Sequence, residues 1–372
     1  MIGADLDTPV VPEAFAAAAA DLRSRALAVD RDPDDLEQHV NGVGMRMVRE
    51  ATTPPRYRTA SELTPPQGYG PDTCRARVVA TVELARGDAA LLTASPGPSL
   101  AGVVVDALAS EAQQDEFYGA IADGHGWTFF AMTEPDLGSD ATTLRSSLER
   151  DPDGGYRLHG VKRYISNGTR GRVGVVFART GPSPLSIRAV LVRCPADGCE
   201  RRALDMVGLR GARISELEFA GVHVPDEAVL GAHLRTSQRG LWGAMRTFNH
   251  MRVHIGAMAV GTAIALAEYV DEHRPGLAGT EVFSARLAAA RRVLYDAADS
   301  VDHRPQDPGP PSLAKLNGTV LAVQVARWAG TALGPAALLE HPLLEKWTRD
   351  VPAFEFMDGT SNIQRLQVAR DL

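Results

Sequence analysis

The sequence predicts an α+β fold in which a β domain lies between two helical ones. Three observations carry this. Alanine-rich, charge-flanked helical patterns fill the chain up to about residue 123, short β-branched or aromatic runs separated by turn clusters begin at Trp127, and long helical patterns return after Ser237. Helices, strands and helices in separate runs, rather than alternating βαβ units, argue against a doubly wound sheet. The expected domains are an all-α domain over 1–126, a mostly antiparallel β-barrel or sandwich over 127–235, and a four-helix bundle over 236–372.

Taken in order, helical patterns cover 13–29, 33–51, 73–87 and 97–123. The stretch TPPRYRTASELTPPQGYGP over 53–71 has prolines and glycines that cannot continue a helix, so it is a long loop. Strand runs follow in YRLHGVKRYISN, RVGVVFART, IRAVLVRC and ISELEFAGVHV, separated by turns such as DPDGG and GPSP. Leu217, Phe219, Val222 and Val224 give the last of these one buried face. Helices are expected again over 238–273, 280–302, 312–333 and about 353–370, with HRPQDPGPP as a connector at 303–311.

The 372 residues, 44% hydrophobic and 23% charged, suffice for substantial cores. A net charge of -7 with scattered Lys and Arg offers no basic surface to a nucleic acid. Cys74, Cys194 and Cys199 cannot close a disulfide framework and suit a reduced, cytoplasmic setting. The acidic start lacks a signal-peptide pattern, and no run approaches ~20 uninterrupted apolar residues, so a soluble protein is expected. His250 and His254 have the i, i+4 spacing of metal-binding helices, but H-M-R-V-H lacks the glutamate of H-E-x-x-H and a third ligand, so no metal is expected.

Neither G-x-G-x-x-G nor the Walker motif is present, so any nucleotide cofactor is held another way. Four other strings stand out. In AMTEPDLGSD (131–140), Thr133 and Ser139 offer hydroxyls and Gly138 permits close approach to an anion; alone, the string reads as a turn between strands. GYRLHGVKRYISNG (155–168) ends on an aromatic and a hydroxyl, Tyr164 and Ser166, or is simply a hairpin edge with a core tyrosine. GLRGARISELEFAGVHVPDEAVLG (208–231) speaks to fold, with Arg210 structural. FMDGTSNIQRLQVARDL (356–372) carries Asp358, whose plainer role is to cap a following helix.

Together these strings resemble the acyl-CoA dehydrogenase superfamily over roughly residues 75–372. The resemblance implies an acyl-CoA dehydrogenase-like fold and FAD bound through Met132, Thr133, Gly138, Ser139, Tyr164, Ser166, Thr360 and Asn362. It implies substrate contacts at Asn249, Arg252 and Gly359, and a catalytic base at Asp358, where the family commonly has glutamate. That base would take the α proton of an acyl thioester, on CoA or a carrier protein, while flavin N5 takes the β hydrogen. The alternative family base position, just before the bundle-helix arginine, is filled by Met251. Expected partners are electron-transfer flavoprotein or another acceptor and further copies in a homodimer or homotetramer.

Two departures qualify this. EHRPGLAGT stands where the family has R-x-x-F-G, and Arg327 replaces its glutamine. A nitroalkane oxidase-like reaction, suggested by the aspartate, and a partner-subunit role in a heteromeric dehydrogenase with little or no flavin therefore stay open.

Overall fold

Helix α1 (Glu13–Arg31) forms in the alanine-rich start and buries Phe15, Ala18, Leu22, Ala26 and Val29, a stripe at helical spacing. The protein is seen in a computed structural model that describes residues 11–58, 63–136, 138 and 140–370, apart from the side chains of Arg246 and Arg370. The helix expected over 33–51 forms only in its second half, because Pro33 and the turns after it interrupt it. There α2 (Val43–Thr52) starts where Asp21 of α1 accepts the Gly44 N–H at 2.9 Å.

Helix α3 (Cys74–Ala94) outruns its expected end at residue 87. Asp88 leaves helical geometry at φ -167°, but its carboxylate accepts the Leu91 N–H at 2.9 Å and restarts the helix as an N-cap would. The helix expected over 97–123 is two, α4 (Ser99–Leu108) and α5 (Glu111–Gly119), divided by a capping box between Ser110 and Gln113.

The middle of the chain forms a 7-stranded sheet from β1 (Trp127–Ala131), β2 (Ser147–Arg150), β3 (Tyr156–Ile165), β4 (Gly171–Arg179), β5 (Ile187–Arg193), β6 (Cys199–Ala203) and β7 (Ser215–Val224). The order is β1-β4-β2-β3-β7-β6, with β5 on β4. Pairing is antiparallel except where β4 meets β1 and β2. On β7, Leu217, Phe219, Val222 and Val224 are all buried as expected. The change of phase after Phe219 is a bulge: Leu158 pairs with Val222 and His159 with Ala220, leaving Gly221 extra at φ 78°.

The last part comprises α6 (Gly240–His273), α7 (Thr280–His303), α8 (Gly309–Leu333), α9 (Ala337–Glu340), α10 (Pro342–Asp350) and α11 (Ser361–Arg370). Helix α8 begins earlier than expected because Pro310 and Pro311 fit a first turn, where no N–H is needed. Helices α9 and α10 were not foreseen, and the helix expected from 353 begins only at Ser361. Helix α6 is long and apolar enough to cross a membrane by length and composition. With 78% of its most apolar window buried inside the protein, it acts here as a core helix.

Two cores organise these elements. One joins α1, α2 and α3 to α6, α7, α8 and α10; the other joins α4 and α5 to the sheet. Helix α6 belongs to both, since Leu241, Ala244 and Met251 pack with the sheet while Val253 to Val270 supply the helical core. The space where the cores meet holds the site.

Candidate active site

A cavity of about 550 Å3 opens at this junction, walled by α3, α6, the ends of β1 and β3 and the segment leading to Asp358. Its size is typical of small-molecule sites. Met132, Thr133, Tyr164, Ser166 and Asp358 all line it.

The sheet side is held by a buried ion pair that sequence reading missed. Glu134 accepts the N–H groups of Arg145 and Ser146, the Ser146 hydroxyl, and Lys162 Nζ at 2.9 Å. Lys162 is wholly buried and also donates to the Met132 carbonyl at 3.0 Å, so it ties the TEP turn to β3. Burial lowers the Lys162 ammonium to about 8, opposed by Glu134; the same lysine, with the Ser146 hydroxyl and the backbone donors, holds Glu134 low against its own burial. The signal lay in the two motifs, whose Glu and Lys need each other.

At the end of β3 the backbone turns left-handed at Tyr164 (φ 62°) and again at Asn167 (φ 56°). A tyrosine at positive φ is uncommon and is kept only where its surroundings hold it. Asn167 is buried and donates to the Thr93 carbonyl at 2.9 Å, which pins the turn to α3. The Tyr164 ring is left 55% exposed. The Ser166 and Thr133 hydroxyls have no hydrogen-bond partner among the described residues.

Opposite, Asp358 (φ 48°) and Gly359 (φ 91°) form a second left-handed turn, just before α11. Asp358 does not cap that helix. Its Oδ2 is buried with no partner, and its backbone N–H has no acceptor among the described residues. Burial raises its carboxyl above the ordinary aspartate range, while Lys315 and Arg252 pull it back.

Lys315, a buried residue of α8, donates to the carbonyls of Met357 and Gly359. It was missed because its partners lie on a turn more than forty residues further along the chain. Arg252 Nη1 donates to Asn249 Oδ1 at 2.6 Å, so these two do face the same way. Asn249 does not line the cavity; its amide donates to the Pro305 and Asp307 carbonyls, anchoring the connector before α8.

The other expected site residues lie further out. Gly359 accepts from Lys315 and Gln364 beside the cavity, and Thr360 O accepts the Gln364 N–H. Asn362 is exposed and accepts from Arg365 at 2.9 Å. Gly138 is exposed, and Ser139 lies outside the described residues.

Family models match twice, "Acyl-CoA dehydrogenase, middle domain" over residues 129–222 and "Acyl-CoA dehydrogenase, C-terminal domain" over 282–372. An acyl-CoA dehydrogenase of Bacillus subtilis is 30% identical over 285 residues, covering 71% of this chain and 73% of that protein. The chain belongs to the acyl-CoA dehydrogenase family. Two solved structures share its fold: a glutaryl-coenzyme A dehydrogenase complex with glutaryl-CoA, and the prolyl acyl carrier protein oxidase AnaB. The first has a TM-score of 0.81 at 21% identity, covering 97% of this chain and 95% of that one. The second has a TM-score of 0.80 at 24% identity, covering 96% of each.

In this acyl-CoA dehydrogenase-like oxidoreductase, Arg274 of the EHRPGLAGT segment ends α6 and donates to the Ala332 carbonyl of α8 at 2.8 Å. Arg327 is exposed on α8.

Proposed function

We propose that this enzyme dehydrogenates an acyl thioester, with FAD against the Tyr164 wall and Asp358 as the base that takes the α proton. The observation that carries the reading is Asp358 itself. One cavity-lining residue combines a buried carboxylate oxygen and a backbone N–H that both lack a partner among the described residues.

The sheet wall fits a flavin. Tyr164 presents an aromatic face, and the Thr133 and Ser166 hydroxyls are uncommitted, as a planar, hydrogen-bonding ring system requires. FAD, when bound, supplies the acceptor for the β hydrogen.

The protein's own part is proton chemistry. Burial makes the Asp358 carboxylate a stronger base than an ordinary aspartate, and the nearby Lys315 and Arg252 act in the opposite direction by favouring its ionised form. The free Asp358 N–H is available to the thioester carbonyl oxygen as negative charge develops there. Apolar walls from Val78, Leu84, Leu100 and Ile255 exclude water, which strengthens both interactions.

The test is to record the flavin spectrum of the purified protein and add acyl-CoA and acyl-pantetheine thioesters without oxygen. Bleaching with formation of the α,β-unsaturated thioester is expected, and the better substrate identifies the carrier. A protein that stays colourless when FAD is supplied contradicts the reading, as does peroxide formation from nitroalkanes with no response to thioesters.

A further inference from the structure

The cavity has a polar wall that the proposed proton transfer does not use. His250 and His254, one turn apart on α6, line it with Arg77 and Thr81 of α3. Thr81 Oγ1 donates its only proton to the Arg77 carbonyl at 2.7 Å. In its 3.1 Å contact with His254 Nδ1, Thr81 therefore accepts, and Nδ1 carries the hydrogen. A neutral ring so fixed leaves Nε2 as a bare acceptor, and it has no partner among the described residues. The His250 ring makes no hydrogen bond among the described residues either.

The charges nearby narrow what these rings can receive. Burial, reinforced by the Arg77 guanidinium, lowers both imidazoles to about 4, so they are neutral near neutral pH. Arg77 is committed to the Pro71 carbonyl at 3.0 Å and to Asp106 at 3.4 Å, but its charge still opposes a second cation. A carboxylate would meet the bare Nε2 lone pair. No third metal-ligating side chain joins the pair among the described residues. A plain hydrocarbon would leave Nε2 buried without a donor, which costs roughly tenfold in affinity.

We infer that this wall binds an uncharged hydrogen-bond donor, a hydroxyl or an amide N–H, on the acyl part of the substrate, with His254 Nε2 as the acceptor. The inference rests on the cavity being the acyl-thioester site proposed above. It makes the enzyme selective for polar acyl groups over hydrocarbon chains of equal length.

Calorimetric titration of the FAD-loaded enzyme with three N-acetylcysteamine thioesters tests this: hexanoyl, 5-hydroxypentanoyl and glutaryl. The hydroxyacyl thioester should bind about tenfold more tightly than the hexanoyl one. His254→Leu should abolish that preference, and His254→Gln, which keeps an acceptor, should retain part of it. Equal or tighter binding of hexanoyl, a preference for glutaryl, or no binding of any of the three overturns the inference. Selective binding of the hydroxyacyl thioester without flavin bleaching upholds it and removes the dehydrogenase reading instead.

Discussion

Lys315 holds Asp358 from both sides, because its Nζ donates to the carbonyl oxygens of the two residues that flank it, Met357 and Gly359. This contact fixes the left-handed turn and sets a cation beside the proposed base. Lys315→Met should therefore act on both geometry and charge. Lys315 lowers the Asp358 carboxyl, so its loss lets that carboxyl rise further. The base works deprotonated, so the acid limb of kcat/KM moves to higher pH in the variant. Lys315, lowered chiefly by burial to about 8, should give the wild-type profile an alkaline inflection that the variant lacks. Stopped-flow flavin reduction across pH measures both.

Tyr164 offers a simpler test of the cofactor wall. Its half-exposed ring sits on a strained backbone that only its surroundings justify. Tyr164→Ala should weaken FAD binding by up to about tenfold, the worth of one aromatic contact, while Tyr164→Trp should preserve it. Equilibrium dialysis of FAD distinguishes the two.

The Glu134–Lys162 pair should matter to the same wall from behind. Glu134→Ala strands a wholly buried ammonium and frees the turn after β1. Loss of a buried partner costs about 3–5 kcal/mol, so both thermal stability and FAD content should fall. Denaturant melts and flavin-to-protein ratios provide the readouts.

A second buried network supports the cavity from the helical core. Lys346 Nζ lies 2.5 Å from Asp88 and 2.6 Å from Asp350, and Asp350 accepts the Leu209 N–H at 2.6 Å. Lys346→Met leaves two carboxylates buried without their cation and should destabilise by about 3–5 kcal/mol. Asp88→Asn, which keeps a hydrogen-bonding side chain at the kink in α3, should cost less.

The order of helices, sheet and helices was legible because period and turn chemistry change abruptly at Trp127 and Ser237. The capping box of Ser110 and Gln113 was also written there, but the apolar pattern across it read as one helix. Asp88 misled in the opposite direction: Gly87–Asp88 looks like an end, yet the aspartate caps the continuation of α3. At the site, Asp358, Tyr164 and Ser166 were reachable through their motifs. Lys315 was not, since nothing local distinguishes a lysine that folds onto a distant turn from one facing water. Asn249 was expected at the substrate, but its amide goes to the connector carbonyls, a partnership set by how α8 packs against α6.

Exchange of the substrate α hydrogen reports on the base alone. Wild-type and Asp358→Asn enzymes, both loaded with FAD, would be incubated with a saturated acyl thioester in deuterated buffer without oxygen, and α deuterium followed by mass spectrometry. The wild type should incorporate deuterium, and the variant should bind the thioester yet exchange at least about a hundredfold more slowly, the contribution expected of a positioned general base. Exchange at the wild-type rate in Asp358→Asn would contradict the assignment.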